Sequence, residues 1–102
     1  MHIKEFVFEE KLVWRLIRCK DSVLITVPVN AYNSNGFRNN IVSLLELAEE
    51  DAKCRSIHVS INSKDPDKTA LTKALLFMGF EINLLPRNEH ILFQMNTNFE
   101  SD

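Results

Sequence analysis

The sequence predicts a single α/β domain of the α+β class, in which a mixed β-sheet packs against two α-helices in the order β-β-β-α-β-α-β-β. A length of 102 residues suits one core, and a composition of 45% hydrophobic and 25% charged residues is typical of a folded globular protein. Short runs of β-branched and aromatic residues alternate with two stretches whose apolar residues repeat every 3.6 positions. We therefore treat residues 1–102 as one domain, and we expect residues 1–5 and 97–102 to fray.

The first third of the chain predicts an antiparallel β-meander. Runs rich in β-branched and aromatic side chains occupy residues 6–8, 14–19 and 23–27, and the polar turn 20–22 joins the last two. Pro28 ends the third strand because proline cannot donate a ladder hydrogen bond. The polar stretch 30–36 is then a loop.

A first amphipathic helix of about four turns is predicted to begin at Phe37. Asn35 and Gly36 supply the turn that precedes it. The apolar residues that follow the helical repeat are Phe37, Ile41, Leu44, Leu45, Ala48 and Ala52. This stripe is expected to face the core.

The second half of the chain predicts a strand at residues 57–61, a second helix, and strands at 80–85 and 91–95 joined through 86–88. Asp65 is predicted to be the N-cap of that helix and Pro66 its first residue. The apolar stripe of the helix is Ala70, Leu71, Ala74, Leu75 and Met78. Gly79 can take the left-handed conformation that ends a helix. The strand-helix-strand step between residues 57 and 85 implies a parallel or crossover connection.

Composition argues against several classes of partner. A net charge of −2 provides no basic surface for a nucleic-acid backbone. No apolar run approaches the roughly 20 residues that span a bilayer, and the first residues lack the pattern of a secretion signal. We therefore expect a cytoplasmic or nuclear protein that binds neither nucleic acid nor membrane.

The sequence contains no recognisable catalytic, cofactor-binding or metal-binding motif. Two glycines are too few for a dinucleotide-binding turn or a Walker loop, and the three histidines lack metal-ligand spacing. His58, in a strand, is best explained as a hydrogen-bonded structural histidine. Asp65 and Asp67 are explained by helix capping better than by calcium binding. Cys19 and Cys54 form no C-x-x-C pair and are predicted to be reduced thiols.

The outer face of the first helix carries the strongest candidate for a binding surface. At 100° per residue, Glu46 and Glu50 point away from the apolar stripe. The other members of the outward half are Arg38, Val42, Glu49 and Lys53. Repulsion between Glu46 and Glu50, and the unfavourable helix dipole, cost a few tenths of a kcal/mol each. Two interpretations stay open at this point: a solvated face, or a docking surface for a basic partner.

Several segments together resemble the C-terminal domain of the ornithine decarboxylase antizymes. They are SLLELAEE at residues 43–50, IHV at 57–59, and the helix 67–75 closing on FMGFEI at 77–82. Residues 13–15 and 23–28 resemble the family's preceding strands, so the similarity covers roughly residues 13–95. The resemblance implies a fold similar to that of the acyl-CoA N-acyltransferases, without their reaction. The sequence agrees, because one glycine, Gly36, is too few for the pyrophosphate-binding turn of those enzymes.

The resemblance also implies a non-catalytic inhibitor. Members of the family bind ornithine decarboxylase monomers, block homodimerisation, and direct the enzyme to the 26S proteasome without ubiquitin, which gives feedback control of polyamines. An antizyme-inhibitor homologue is a further implied partner.

The same resemblance implies roles for individual residues. Glu46, Glu49 and Glu50 match acidic residues that face the decarboxylase, and Arg38 stands where the family has a basic contact, usually lysine. Asn83, which stands where the family typically has a valine after GFEI, is a further partner-binding residue that the resemblance implies. The family's proteins also carry an N-terminal segment associated with degradation, so we expect this chain to be a truncated form.

Two other functions stay open. One is an N-acetyltransferase-like enzyme that holds acetyl-CoA through an unusual loop, which a rise in thermal stability with acetyl-CoA would favour. The other is a structural module whose partner is unrelated to the decarboxylase.

Overall fold

A computed structural model of the chain describes residues 2–7, 12–34, 36–50, 53–83 and 90–96. The strands are β1 (His2–Val7), β2 (Val13–Cys19), β3 (Ser22–Thr26), β4 (Ser56–Asn62), β5 (Glu81–Asn83) and β6 (His90–Asn96). The helices are α1 (Phe37–Glu49) and α2 (Lys68–Phe77), and a short 3-10 turn, Ala31–Asn33, precedes α1. The predicted fold class and element order are confirmed. Neither helix of the described part is long and apolar enough to cross a membrane.

The strands lie in the order β1-β2-β3-β4-β6-β5. Strands β3 and β4 are parallel, and all other neighbours are antiparallel. The predicted meander β1 to β3 is confirmed. Strand β5 runs in the direction of β4, as a crossover requires, but β6 lies between them. The hydrogen-bonded parallel pair is therefore β3 and β4, joined by α1, and not the pair on either side of α2.

Burial agrees with the position of β6 inside the sheet and of β5 at its edge. Phe93 in β6 is completely buried, whereas Ile82 in β5 is 38% exposed. An inner strand is covered by neighbours on both sides, so the strand that carries the larger buried side chain gains more there. The order of the strands along the chain does not show which of the two lies inside the sheet.

Several element boundaries differ from the predicted ones. Strand β1 begins at His2 and not at residue 6, because residues 2–5 pair with β2. Strand β5 is limited to Glu81–Asn83 among the described residues. The predicted roles of Phe8, Asn35 and Ala52, of residues 84–88 and of the tail 97–102 lie outside the described residues.

One hydrophobic core lies between the two helices and one face of the sheet. Buried residues alternate along the strands, as in Val23 and Ile25 of β3 and in Ile57 and Val59 of β4. The buried residues of the helices are Phe37, Ile41, Leu44 and Ala48 in α1, and Leu71 and Leu75 in α2. The predicted stripes therefore face the core. No described element covers the opposite, open face of the sheet.

The start of α2 differs from the prediction by two residues. Asp65 Oδ1 accepts a hydrogen bond from the Asp67 amide (2.8 Å), of the kind that an N-cap side chain makes. The Lys68 amide then donates to the Asp65 carbonyl (3.0 Å), so residues 65–68 form a turn tighter than an α-helix. Regular α-helix begins at Lys68, with Asp67 as the N-cap residue. The predicted N-cap at Asp65 and the predicted start at Pro66 were therefore wrong, although the Asp65 side chain accepts the Asp67 amide in the turn before the helix.

Gly79 ends α2 in the left-handed conformation, with φ 104°. The Phe80 amide donates to the Leu75 carbonyl (3.0 Å), and the Gly79 amide donates to the Leu76 carbonyl (3.0 Å). These two bonds form a Schellman motif, which satisfies carbonyls that the helix end would otherwise leave unpaired. The predicted stop is confirmed.

Replacing Gly79 with alanine should lower the free energy of unfolding by about 1 kcal/mol, because a Cβ disfavours the left-handed conformation. A Cβ there meets only Met95 Sδ, at 3.8 Å, which is ordinary contact, so the backbone angle carries the effect. Urea unfolding measures the loss. Gly79→Asn is the matched control and should lose less, since asparagine tolerates positive φ. An unchanged midpoint for Gly79→Ala would show that this angle is not required.

Candidate partner-binding site

Helix α1 carries its apolar stripe and its charged face on different sides. Ile41 and Leu44 are buried, whereas Glu46, Glu49 and Glu50 are exposed. Glu50 is the C-cap residue, so all three carboxylates lie in or next to the last turn of the helix. The predicted outward direction of these carboxylates is therefore confirmed.

These carboxylates have little local compensation. The first turn of α1 contains no acidic residue and the last turn contains no basic one, which is opposite to the arrangement that the helix dipole favours. Within the described part of the chain, the side chains of Glu46, Glu49 and Glu50 have no ion-pair or hydrogen-bond partner. A described ion pair, Arg15 Nε to Glu5 Oε2 at 2.9 Å, lies on the open face of the sheet. The C-terminal half of α1 therefore presents negative charge to its surroundings.

The remaining predicted site residues on α1 continue the same surface. Arg38 is exposed in the first turn, and Val42 is 39% exposed one turn later. Lys53 is exposed just after the helix. We call the set Arg38, Val42, Glu46, Glu49 and Glu50 the α1 stripe. It is basic at its start, apolar in the middle and acidic at its end.

Asn83 does not join the α1 stripe. It pairs with Leu92 in β6, which pairs in turn with Ser60 in β4. Successive side chains of a strand point to opposite faces, and the neighbouring Ile82 pairs with the core residue Phe93. Asn83 therefore lies on the open face, at the β5 edge, and the sheet separates it from α1.

A groove of about 420 Å³ lies between the start of α1 and the end of α2. Its lining includes Phe37 and Arg38 from α1 and Ala74 and Met78 from α2. Phe77, next to Met78 in the chain, is 92% exposed. In the sequence, Phe77 was notable only as part of the family-like segment FMGFEI at residues 77–82. Its position about 140° from the middle of the Leu71–Leu75 stripe, at 100° per residue, would have indicated this exposure.

The described residues include other side chains that could take part in catalysis or metal binding. His58 Nε2 lies 3.3 Å from Ser56 Oγ, which confirms a hydrogen-bonded structural histidine. Cys19 is exposed and Cys54 is buried, neither is in a disulfide bond, and Cys54 Sγ donates a hydrogen bond to the Ser56 carbonyl (3.4 Å). Asp67 Oδ2 accepts a hydrogen bond from Asn33 Nδ2 (2.9 Å). No group of three or more potential metal ligands occurs among these residues.

Comparison with known sequences identifies the relatives of this chain. The sequence model described as "Ornithine decarboxylase antizyme" matches residues 4–100. The chain belongs to the ornithine decarboxylase antizyme family. The family match includes the whole α1 stripe and Asn83, so the resemblance predicted from the sequence is confirmed.

Individual antizymes are distant relatives. The chain is 30% identical over 94 residues to ornithine decarboxylase antizyme 2 of Danio rerio, which covers 87% of the chain and 42% of the relative. It is 28% identical over 87 residues to antizyme 3 of Rattus norvegicus (80% and 35%), and 28% identical over 85 residues to antizyme 2 of Homo sapiens (79% and 44%). The chain therefore spans less than half the length of these antizymes.

Proposed function

We propose that this chain is a non-catalytic inhibitor that binds a monomer of ornithine decarboxylase through the α1 stripe. The observation that carries the proposal is the exposed set of carboxylates Glu46, Glu49 and Glu50, which have no partner among the described residues, in a member of the antizyme family. The relatives that match are named as antizymes of that enzyme. Because these charges destabilise their own helix, binding to a partner explains their presence better than a contribution to the stability of the fold does.

The proposed inhibition works by mass action. Ornithine decarboxylase is active as a homodimer in this scheme, and a chain that binds the monomer removes it from the dimer equilibrium. No bond is made or broken by the inhibitor. We further propose that the complex is delivered to the 26S proteasome without ubiquitin, in the cytoplasm or nucleus, and that an antizyme-inhibitor homologue competes for the same surface.

Electrostatics gives the α1 stripe its proposed selectivity. The C-terminal end of a helix carries about half a negative charge, and three carboxylates add to it there. At physiological salt this field decays over about 8 Å, which is far enough to orient an approaching basic surface. The complementary surface of the decarboxylase is therefore basic, and association should slow as salt is added.

Mixing the chain with ornithine decarboxylase on a sizing column tests the proposal directly. We expect a complex of one inhibitor and one decarboxylase monomer, with decarboxylase activity lost in proportion to the complex formed. A decarboxylase that elutes as an unchanged dimer with full activity in excess inhibitor would contradict it.

Acetyl-CoA provides the test against the rival enzyme. Only Gly36 among the four residues before α1 is a glycine, so close approach of a pyrophosphate to several amides is not expected. We predict no change in Tm with acetyl-CoA. A ligand at 100 times its Kd adds about 2.7 kcal/mol, which raises the Tm of a domain of this size by more than about 10 °C. A rise of that size would favour an acyltransferase.

A further inference from the structure

Phe77 is the most exposed large apolar side chain of the described residues. It is 92% exposed, whereas Phe37, Phe80 and Phe93 are buried. Scattered exposed apolar residues are common in proteins, but a phenylalanine that is almost completely in water gives up nearly all the burial available to it. Whether Phe77 has a binding role depends on the groove and the charges near it.

Helix geometry places Phe77 on the flank of α2 that faces α1. Ala74 lines the groove between the helices, and Phe77 lies about 60° further around α2 from Ala74, away from the core. Leu76, which is 45% exposed, lies on the other flank of the same helix. Phe77 therefore lies on the groove side of α2, whereas Leu76 lies on the opposite side.

The groove separates this side of α2 from the start of the α1 stripe. Arg38 lines the opposite side of the groove, and Val42 lies one turn further along α1. By helix geometry Phe77 thus lies on the side of α2 that faces the groove, and Arg38 lines the groove from α1. A partner that covers Arg38 and the groove would approach this side of α2.

The charges around Phe77 differ from those at the end of α1. Lys73 lies one turn before Phe77 and is exposed, and Arg38 lies across the groove. This part of α2 and the start of α1 therefore carry positive charge, whereas the far end of the α1 stripe is acidic. A complementary surface has an apolar pocket with an acidic rim at one end and a basic patch at the other.

We infer that Phe77 is the apolar anchor of the interface with the decarboxylase and inserts into a pocket whose rim is acidic. The inference rests on the proposed docking of the α1 stripe. Aromatic side chains that fill a pocket contribute a large share of the binding energy of protein interfaces, and surrounding polar contacts keep water out. The two ends of opposite charge allow only one orientation of the partner along α1.

Truncating the ring tests the inference. Phe77→Ala should raise the Kd for ornithine decarboxylase at least about tenfold in a binding titration. Leu76→Ala is the matched control on the same helix and should change the Kd less than about twofold. Both chains should unfold at the same urea concentration as the parent, because truncation of exposed side chains rarely affects stability.

Reversing the two charges near this end of the surface is a second test. Arg38→Glu with Lys73→Glu should slow association with the decarboxylase, and added salt should reduce the difference in association rate between this variant and the parent.

The outcomes separate the inference from the proposed function. If Phe77→Ala binds normally while Glu46→Lys with Glu50→Lys binds weakly, the anchor is wrong and the α1 interface stands. If none of these variants changes the affinity, or the parent chain does not bind, both ideas fail. If the free chain self-associates in sedimentation and Phe77→Ala is monomeric, the ring contacts a second copy, and the inference is overturned.

Discussion

Reversing two charges on α1, with Glu46→Lys and Glu50→Lys in one chain, should weaken the complex with ornithine decarboxylase about 100-fold, or about 2.7 kcal/mol. Both side chains are exposed and have no partner in the described residues, so the reversal leaves the core intact. It places positive charge against the proposed basic surface, and opposed like charges at an interface cost several kcal/mol. Titration at physiological salt measures the change.

The control for this pair must change the net charge equally on another surface. Glu5→Lys with Glu81→Lys does so, because both residues are exposed on the open face of the sheet. The exposed pair between Glu5 and Arg15 is lost, which costs less than about 1 kcal/mol of stability. We expect its affinity to stay within about threefold of the parent. Equal losses in the two double variants would show that only the overall charge matters.

The α1 variant should also unfold no more easily than the parent. The two introduced lysines would still repel each other, but both charges would now complement the helix dipole, which is worth about 0.3–1 kcal/mol each. A change that keeps or raises stability while it removes binding separates the function of these residues from the fold. Urea unfolding of the same sample provides this comparison.

The features predicted correctly from the sequence depend on local geometry. The direction of Glu46 relative to Ile41 follows from the 3.6-residue repeat alone, and the structure shows the first exposed and the second buried. The stop at Gly79 depends on the conformation of one residue. Such predictions need no knowledge of distant segments.

The features that were missed depend on contacts between distant segments. The place of β6 between β4 and β5 results from competition for the centre of the sheet, which the order along the chain does not show. The face of the sheet on which Asn83 lies follows from its pairing with β6, and a shift of one residue in that pairing would reverse it. Phe77 is an intermediate case, because its angle on α2 could be predicted locally, whereas the groove between α2 and Arg38 depends on how the two helices pack.

Trp14 links the sheet to the α1 stripe and is the position where a single change should damage the fold most. Its side chain is 1% exposed, and its ring centroid lies 6.0 Å from that of Phe37, the first residue of α1, at an interplanar angle of 34°. The ring of Phe37 lies 5.3 Å from that of Tyr32 in the preceding turn. The aromatic contacts of Trp14 therefore hold the N-terminal end of α1, and with it Arg38, against the sheet.

Trp14→Ala should lower the free energy of unfolding by about 3–5 kcal/mol, because it removes a large buried ring and leaves a cavity. A domain of this size has about 5–15 kcal/mol in total, so much of the variant chain would unfold at moderate urea concentrations. Trp14→Phe is the control: it keeps an aromatic ring beside Phe37 and should lose about half as much. If Trp14→Ala unfolds at the parent's urea midpoint, the ring does not anchor α1. If the fold weakens as expected, binding by the folded fraction of Trp14→Phe should match the parent, because the exposed residues of the α1 stripe are unchanged.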